Sequence, residues 1–216
     1  MYNNANHTRF EHSLGVAYLA QKMSSRIKER QPKLNTTEKD VLCVTLAGLL
    51  HDIGHGPFSH IYEMFRLDLA QHIENDPTLE SKYAQLPQVP KKWRHESASL
   101  DLIDAALKSL GLAIDLDNLD EPLQQIGDGV DRLSMRVFAH LGNSNSSPSI
   151  GASDYKDILT SRDFVLIKEM IWGGPIPDIK EKFGKSELIG RKEPEKEWLY
   201  DVVANRFSGL DVDKVD

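Results

Sequence analysis

A single cysteine, Cys43, in 216 residues rules out a disulfide framework and suits a reducing compartment. Long apolar runs are missing too. None approaches the ~18 residues of a membrane span, and the opening Met1-Tyr-Asn-Asn-Ala-Asn-His has neither the basic start nor the apolar stretch of an export signal. The expectation is a soluble, intracellular chain that touches no membrane, with nucleus and cytoplasm not distinguished. Positive charge is in short supply, 26 Lys and Arg against 33 Asp and Glu, for a formal net charge of -7. No global field would therefore collect nucleic acid or anionic lipid, and any phosphate must be held by local groups. Aromatics make up only 7% and form no stripe interleaved with basic residues, so nucleic acid is not expected as the main ligand. Trp93, Trp172 and Trp198 read as anchors in a core or interface. The 40% of hydrophobic side chains, at a mean hydropathy of -0.42, suffice for one well-buried domain over residues 1–216.

Strand patterns are scarce as well, while helical periodicity recurs. Leu14, Val16, Ala17, Leu19, Ala20, Met23 and Ile27 repeat at three- and four-residue steps, which predicts a helix over 10–30 that stops before Pro32. A second helix is expected over 37–53, with the Thr37 hydroxyl capping the amide of Asp40. Its run Val41–Leu50 is apolar nearly all round, which places it at the centre of the core with Cys43 as a small buried hydrophobe. Further helices are expected near 57–73, opened by Pro57, and near 95–110, 161–171 and 194–207. Residues 74–92 are polar and proline-rich, hence a loop, and the Asn- and Ser-rich stretch 142–151 reads as an exposed, flexible insertion. The fold class this predicts is all-α.

Histidine, by contrast, is concentrated: five of the eight (His7, His12, His51, His55 and His60) fall in the first sixty positions, beside Asp52. The doublet His51-Asp52 supplies an imidazole and a carboxylate at the end of a buried helix, donor types that hold a divalent metal. Neighbouring residues point about 100° apart on a helix, so both reach one ion only at a flared helix end, which Gly54 and Gly56 would permit. The surrounding motifs are Arg9-Phe-Glu-His12, His51-Asp-Ile-Gly-His-Gly-Pro-Phe-Ser-His60, Arg94-His-Glu96 and Gly209-Leu-Asp-Val-Asp-Lys214. These motifs resemble the HD-domain metal phosphohydrolases, and more closely the SAM and HD domain-containing deoxynucleoside triphosphate triphosphohydrolases. The resemblance spans 7–66, 93–100 and 161–216 and is weakest across 112–158.

That resemblance implies an HD-domain helical bundle with His12, His51, Asp52 and Asp213 as ligands of one divalent ion, for which Fe, Mn, Zn and Mg all suit the donor set. It implies that His55 and His95 lie near the reacting phosphate, and that His60 contacts phosphate or protonates the leaving oxygen. Arg9, three residues before His12, shares a helix face with it and would fork onto a phosphate oxygen, while Lys214 would add a point charge. Asp211 reads as a helix cap or a partner behind Asp213, and His7, His72 and His140 as lying outside the site. Val215 stands where the family usually has Trp. The implied reaction converts a deoxynucleoside triphosphate to a deoxynucleoside and inorganic triphosphate.

Family members also carry sugar-reading residues before this start, and substrate-contacting and oligomer-forming segments after this end. The chain therefore reads as incomplete at both termini, its activity impaired, with any homo-oligomer a property of the longer form. Two other readings stay open at this point: an HD-type phosphohydrolase acting on another nucleotide, and an inactive paralogue that binds metal or nucleotide.

Overall fold

The computed structural model describes residues 8–76, 78–79, 93–125, 159–177, 179 and 187–216. The first helix, α1 (Arg9–Arg30), starts at a capping box: Thr8 accepts from the amide of Glu11, and the Glu11 carboxylate accepts from the amide of Thr8 at 2.8 Å. It buries Val16, Ala17, Ala20 and Ser24. A short 3₁₀ turn, Pro32–Leu34, leads to α2 (Glu38–Leu50), which Thr37 and Asp40 cap reciprocally as the sequence predicts. Val44, Leu46, Ala47 and Cys43 of α2 are essentially inaccessible, so this helix is central, and burial pushes the Cys43 thiol pKa far up. At Gly48 a Cβ would lie only 3.1 Å from the Ala20 Cβ, and its absence lets α1 and α2 approach closely.

α2 ends at Leu50 rather than near 53, because the chain turns at 51–54 to present the functional doublet. The third helix, α3 (His60–Asn75), begins three residues later than Pro57 suggests. Phe58 and Ser59 adopt φ of 63° and 54°, left-handed values no helix can carry, so Pro57 stays in the turn. None of the α3 residues is buried, and Ile61, Met64 and Phe65 stand 57–69% exposed. Its run to Asn75 overtakes the first two positions of the expected loop over 74–92, of which 77 and 80–92 lie outside the described residues, as does the expected insertion over 142–151.

Helix α4 (His95–Ser109) is followed by a two-residue antiparallel pair, β1 (Leu112–Ala113) with β2 (Gln124–Gln125), in register Leu112 with Gln125. α5 (Ser161–Trp172), also entered through a capping box (Thr160 with Asp163), packs Phe164, Val165, Ile167 and Met170 into the core. The region expected as a helix over 194–207 is a 3₁₀ turn, Pro194–Leu199, then a single turn α6 (Tyr200–Val203). A last turn, α7 (Val212–Val215), is capped by Asp211, whose carboxylate accepts from the amide of Lys214. The architecture is all-α, with α1, α2 and α5 as its inner helices.

Charge inside this core is paired. Arg191 donates to Asp40 at 2.8 Å and to Asp163 at 2.7 Å, while Lys196 meets Asp40 at 3.0 Å and Lys39 meets Asp163 at 3.3 Å. Both aspartates close capping boxes, so one guanidinium ties the N-termini of α2 and α5 to the segment before α6. Burial would raise the pKa of Asp40, but the Thr37 amide, Arg191 and Lys196 outweigh it and hold the carboxyl below its usual range.

Candidate metal centre and phosphate side

Three segments converge on one point. His12 arrives on the first turns of α1, His51 and Asp52 on the turn after α2, and Asp213 on α7. Asp213 Oδ1 lies 3.1 Å from His12 Nε2 and 3.2 Å from His51 Nε2. Asp52 closes the set, with Oδ1 3.2 Å from His51 Nε2 and Oδ2 3.6 Å from His12 Nε2. The donor atoms of His12, His51 and Asp213 lie within 4.8 Å of one another, close enough to hold a divalent ion, and Asp52 stands beside them.

Each imidazole is steered from behind. His51 Nδ1 donates to the Gly48 carbonyl at 2.8 Å, which leaves Nε2 facing the aspartates, and His12 Nδ1 meets Asp216 at 2.9 Å. Burial disfavours the charged form of His51, yet Asp213, Asp52 and the Gly48 carbonyl together raise its pKa. The Asp213 carboxyl is held down to about 2, mainly by the hydrogen bond from His51 against the opposing effect of burial.

The turn that carries the doublet is fastened to α4. Ser99, fully buried, donates to the His51 carbonyl at 2.7 Å and accepts from the Gly54 amide at 2.9 Å. Gly54 lies against α4 so closely that a Cβ would stand 2.2 Å from the Ser99 nitrogen and 2.3 Å from the His95 oxygen, which only glycine allows. This close approach sets His55 beside His95: their rings stack at 3.7 Å with planes 10° apart. Two charged imidazoles would repel at that distance. Burial first, and then His95, depress the His55 pKa to about 4.

His60 stands edge-on to this pair, with ring centroids 4.9 Å from His55 and 5.4 Å from His95. The three histidines form a second cluster next to the first, joined through Asp52 Oδ1, which is 3.6 Å from His55 Nε2. Glu63 orients two of them, its Oε2 lying 3.3 Å from both His60 Nδ1 and His95 Nδ1. These contacts outweigh the effect of burial and lower the Glu63 pKa.

Arg9 is brought in by α1 and donates to Asp52 Oδ2 at 2.7 Å and to the hydroxyl of Ser59. Lys214 pairs with both oxygens of Asp211 at 3.0 Å; its charge helps to lower the Asp213 pKa, but its described ion pair is with Asp211 and not with the cluster. His72 bonds the Asp68 carbonyl away from the site, and His7 and His140 lie outside the described residues. Sequence reasoning missed Ser99, Ser59 and Glu63, and gave Asp216 only a structural role. Only Glu63 carried a signal, its spacing of three from His60 on one helix face. The serines act on residues forty or more positions away.

The HD domain family model matches residues 9–117, the stretch from Arg9 through α4 and β1. The chain belongs to the HD domain family. Over all 216 residues it is 33% identical to the deoxynucleoside triphosphate triphosphohydrolase SAMHD1 of Bos taurus, covering 27% of that protein, and 32% identical to its Homo sapiens counterpart, covering 25%. The SAMHD1 homolog of Dictyostelium discoideum is 33% identical over 154 residues, which is 70% of this chain and 26% of that protein. The chain thus spans about a quarter of the length of these curated relatives. No helix among the described residues is long and apolar enough to cross a membrane.

Proposed function

We propose that this HD domain is a core of a metal-dependent deoxynucleoside triphosphate triphosphohydrolase. The observation that carries the reading is the pairing of a two-imidazole, two-carboxylate donor set with a separate cluster of three imidazoles and a guanidinium across one shared carboxylate, Asp52. The names of the relatives support the substrate class. His12, His51, Asp52 and Asp213 would hold the divalent ion, which when bound supplies a Lewis acid at the phosphate and a more acidic water.

This chain's own residues position and protonate. Arg9, a forked donor beside Asp52, would bind an α-phosphate oxygen. His55 and His95 would line the same phosphate, their stacking and burial limiting the charge they can share. In the hydrolysis, a water oxygen bonds to the α-phosphorus, the bond from that phosphorus to the 5′-oxygen breaks, and the leaving 5′-oxygen takes a proton. His60, whose side chain is 72% exposed and whose Nδ1 faces Glu63, would deliver that proton from Nε2. Lys214 joins the phosphate contacts only by leaving Asp211.

The test is product identity. Incubation with dGTP and Mn²⁺ or Mg²⁺, read by phosphorus NMR and chromatography, should yield deoxyguanosine and inorganic triphosphate in equal amounts. Stepwise release of orthophosphate would assign a different phosphohydrolase activity, and metal binding without any product would assign a non-enzymatic role.

A further inference from the structure

Two surfaces of this molecule stand without a partner, and each supplies what the other lacks. The first is α3. Ile61, Met64, Phe65 and Asp68 recur at steps of three and four residues and so share one face of the helix, while Glu63, which meets His60 and His95, lies on the opposite side. The three apolar side chains are more than half exposed, and the carboxylate of Asp68, as open as they are, stands 3.6 Å from the His72 ring. A helix that turns its apolar stripe to water lacks a surface to lie on.

The second is a groove of about 810 Å³ along the second half of α1. Leu19, Met23 and Ile27 form its wall on α1, and Val202, Leu210 and Val215 face them from α6, the turn before α7 and α7 itself. Lys22, Arg26 and Arg30, repeating at the same four-residue step, edge the α1 side. No carboxylate among the described residues pairs with any of these three, and Lys22 lies over the Tyr18 ring. Of the two aspartates on the other edge, Asp211 is taken up by Lys214, so the groove keeps a positive excess in a chain of net charge -7.

α3 is about 24 Å long, and the groove follows α1 from Leu19 to Gln31 for about 18 Å, so helix and groove match in length. Laid together, apolar side chains meet apolar walls and Asp68 meets the row of unpaired cations. Within one molecule α3 starts beside Arg9, at the other end of α1, and stands exposed, so the helix that fills the groove comes from another copy. We propose that this chain self-associates head to tail, with α3 of one copy lying in the groove between α1 and α7 of the next. Because the contact joins two different surfaces, each dimer keeps a free α3 at one end and a free groove at the other, and assembly continues. A helix of this length buries roughly 500 Å² per partner, short of the ~800 Å² of a typical stable complex, which sets the association in the micromolar range. The docked face is the one turned away from Glu63, so pairing leaves the histidine side of α3 uncovered and does not depend on the reaction proposed above.

Sedimentation velocity of the full chain over roughly 2 to 200 μM, a range spanning that affinity, is the test. The mean sedimentation coefficient of the wild type should rise with concentration and pass the dimer value. Met64→Lys on α3 and Met23→Lys in the groove each set an unpaired charge in the apolar centre of the contact, and each alone should weaken association about tenfold or more. Both methionines are exposed, so both variants keep the fold, which circular dichroism checks. Mixed in equal amounts, each variant supplies the surface the other has lost, and the mixture should form a dimer and stop there. Association that persists undiminished in either single variant, or a mixture that stays monomeric, overturns the pairing. A wild type that stays monomeric overturns it too, and binding of that monomer to phosphatidylserine vesicles would assign the basic edge to a membrane surface instead.

Discussion

At the scale of single residues, the site separates groups that serve chemistry from groups that hold the fold. His51 and Asp52 make contacts almost wholly with other site residues, so His51→Ala or Asp52→Ala should abolish metal binding while the far-ultraviolet spectrum stays helical. Unchanged metal content in both variants would remove the proposed ligand set. Arg9 should behave differently. Arg9→Ala is expected to weaken dGTP binding by roughly 1.5–3 kcal/mol, the value of a charge-assisted contact, with metal content retained, and calorimetry that finds equal affinity would return Arg9 to structural pairing with Asp52. Ser99 belongs to the supporting layer. Ser99→Ala leaves the buried Gly54 amide and His51 carbonyl unpaired, a cost of about 1–3 kcal/mol in urea unfolding, together with a looser metal site. The proposed metal ligands are legible in the sequence because local motifs carry them, whereas Ser99 and Ser59 are not, since their partners are neighbours only after α1, α4 and the doublet turn have packed.

At the scale of elements, the helices whose ends carry side-chain caps were read to within a residue or two at those ends: Thr37 with Asp40 wrote the start of α2 into the sequence. The start of α3 was misplaced because Pro57 is compatible with a helix opening, and nothing in Phe58-Ser59 announces positive φ. The region after 194 was overextended for a related reason, its helical spacing being compatible with a 3₁₀ turn as well. What the sequence could not show at all is the guanidinium clamp. Arg191 is 151 residues from Asp40, and its two aspartates are already spoken for as caps. Arg191→Met should cost about 3–5 kcal/mol, because it takes the guanidinium from two buried carboxylates and leaves Asp40 with Lys196 and Asp163 with Lys39, and near-wild-type stability in chemical denaturation would show the clamp to be dispensable. The pH sign follows from Asp40. Its folded-state pKa is depressed, so its contribution is complete above the ordinary value of 3.8 and is lost as pH falls through the lower, folded value. Melting temperature should therefore drop on acidification below about pH 4, and the drop should shrink in Arg191→Met.

For the whole molecule, the site straddles two regimes of stability. His51 and Asp52 leave a helix at the centre of the core, while His60 and Glu63 ride on α3, which buries none of its residues. Native-state hydrogen exchange should find α2 amides opening only with global unfolding and α3 amides opening far more readily, with dGTP binding slowing exchange over 60–65. Equal protection of the two helices would contradict this division. A net charge of -7 makes the local cation at Arg9 the more valuable, and Arg9 is held by a hydroxyl on one of the two left-handed residues in the turn. Ser59 accepts a backbone geometry that glycine would adopt freely, in order to place an oxygen against the guanidinium. In a screen that rewards heat resistance alone, Ser59→Gly should be among the first variants enriched, and the lineage that fixes it should tolerate higher temperature while needing more nucleotide to reach half-maximal turnover.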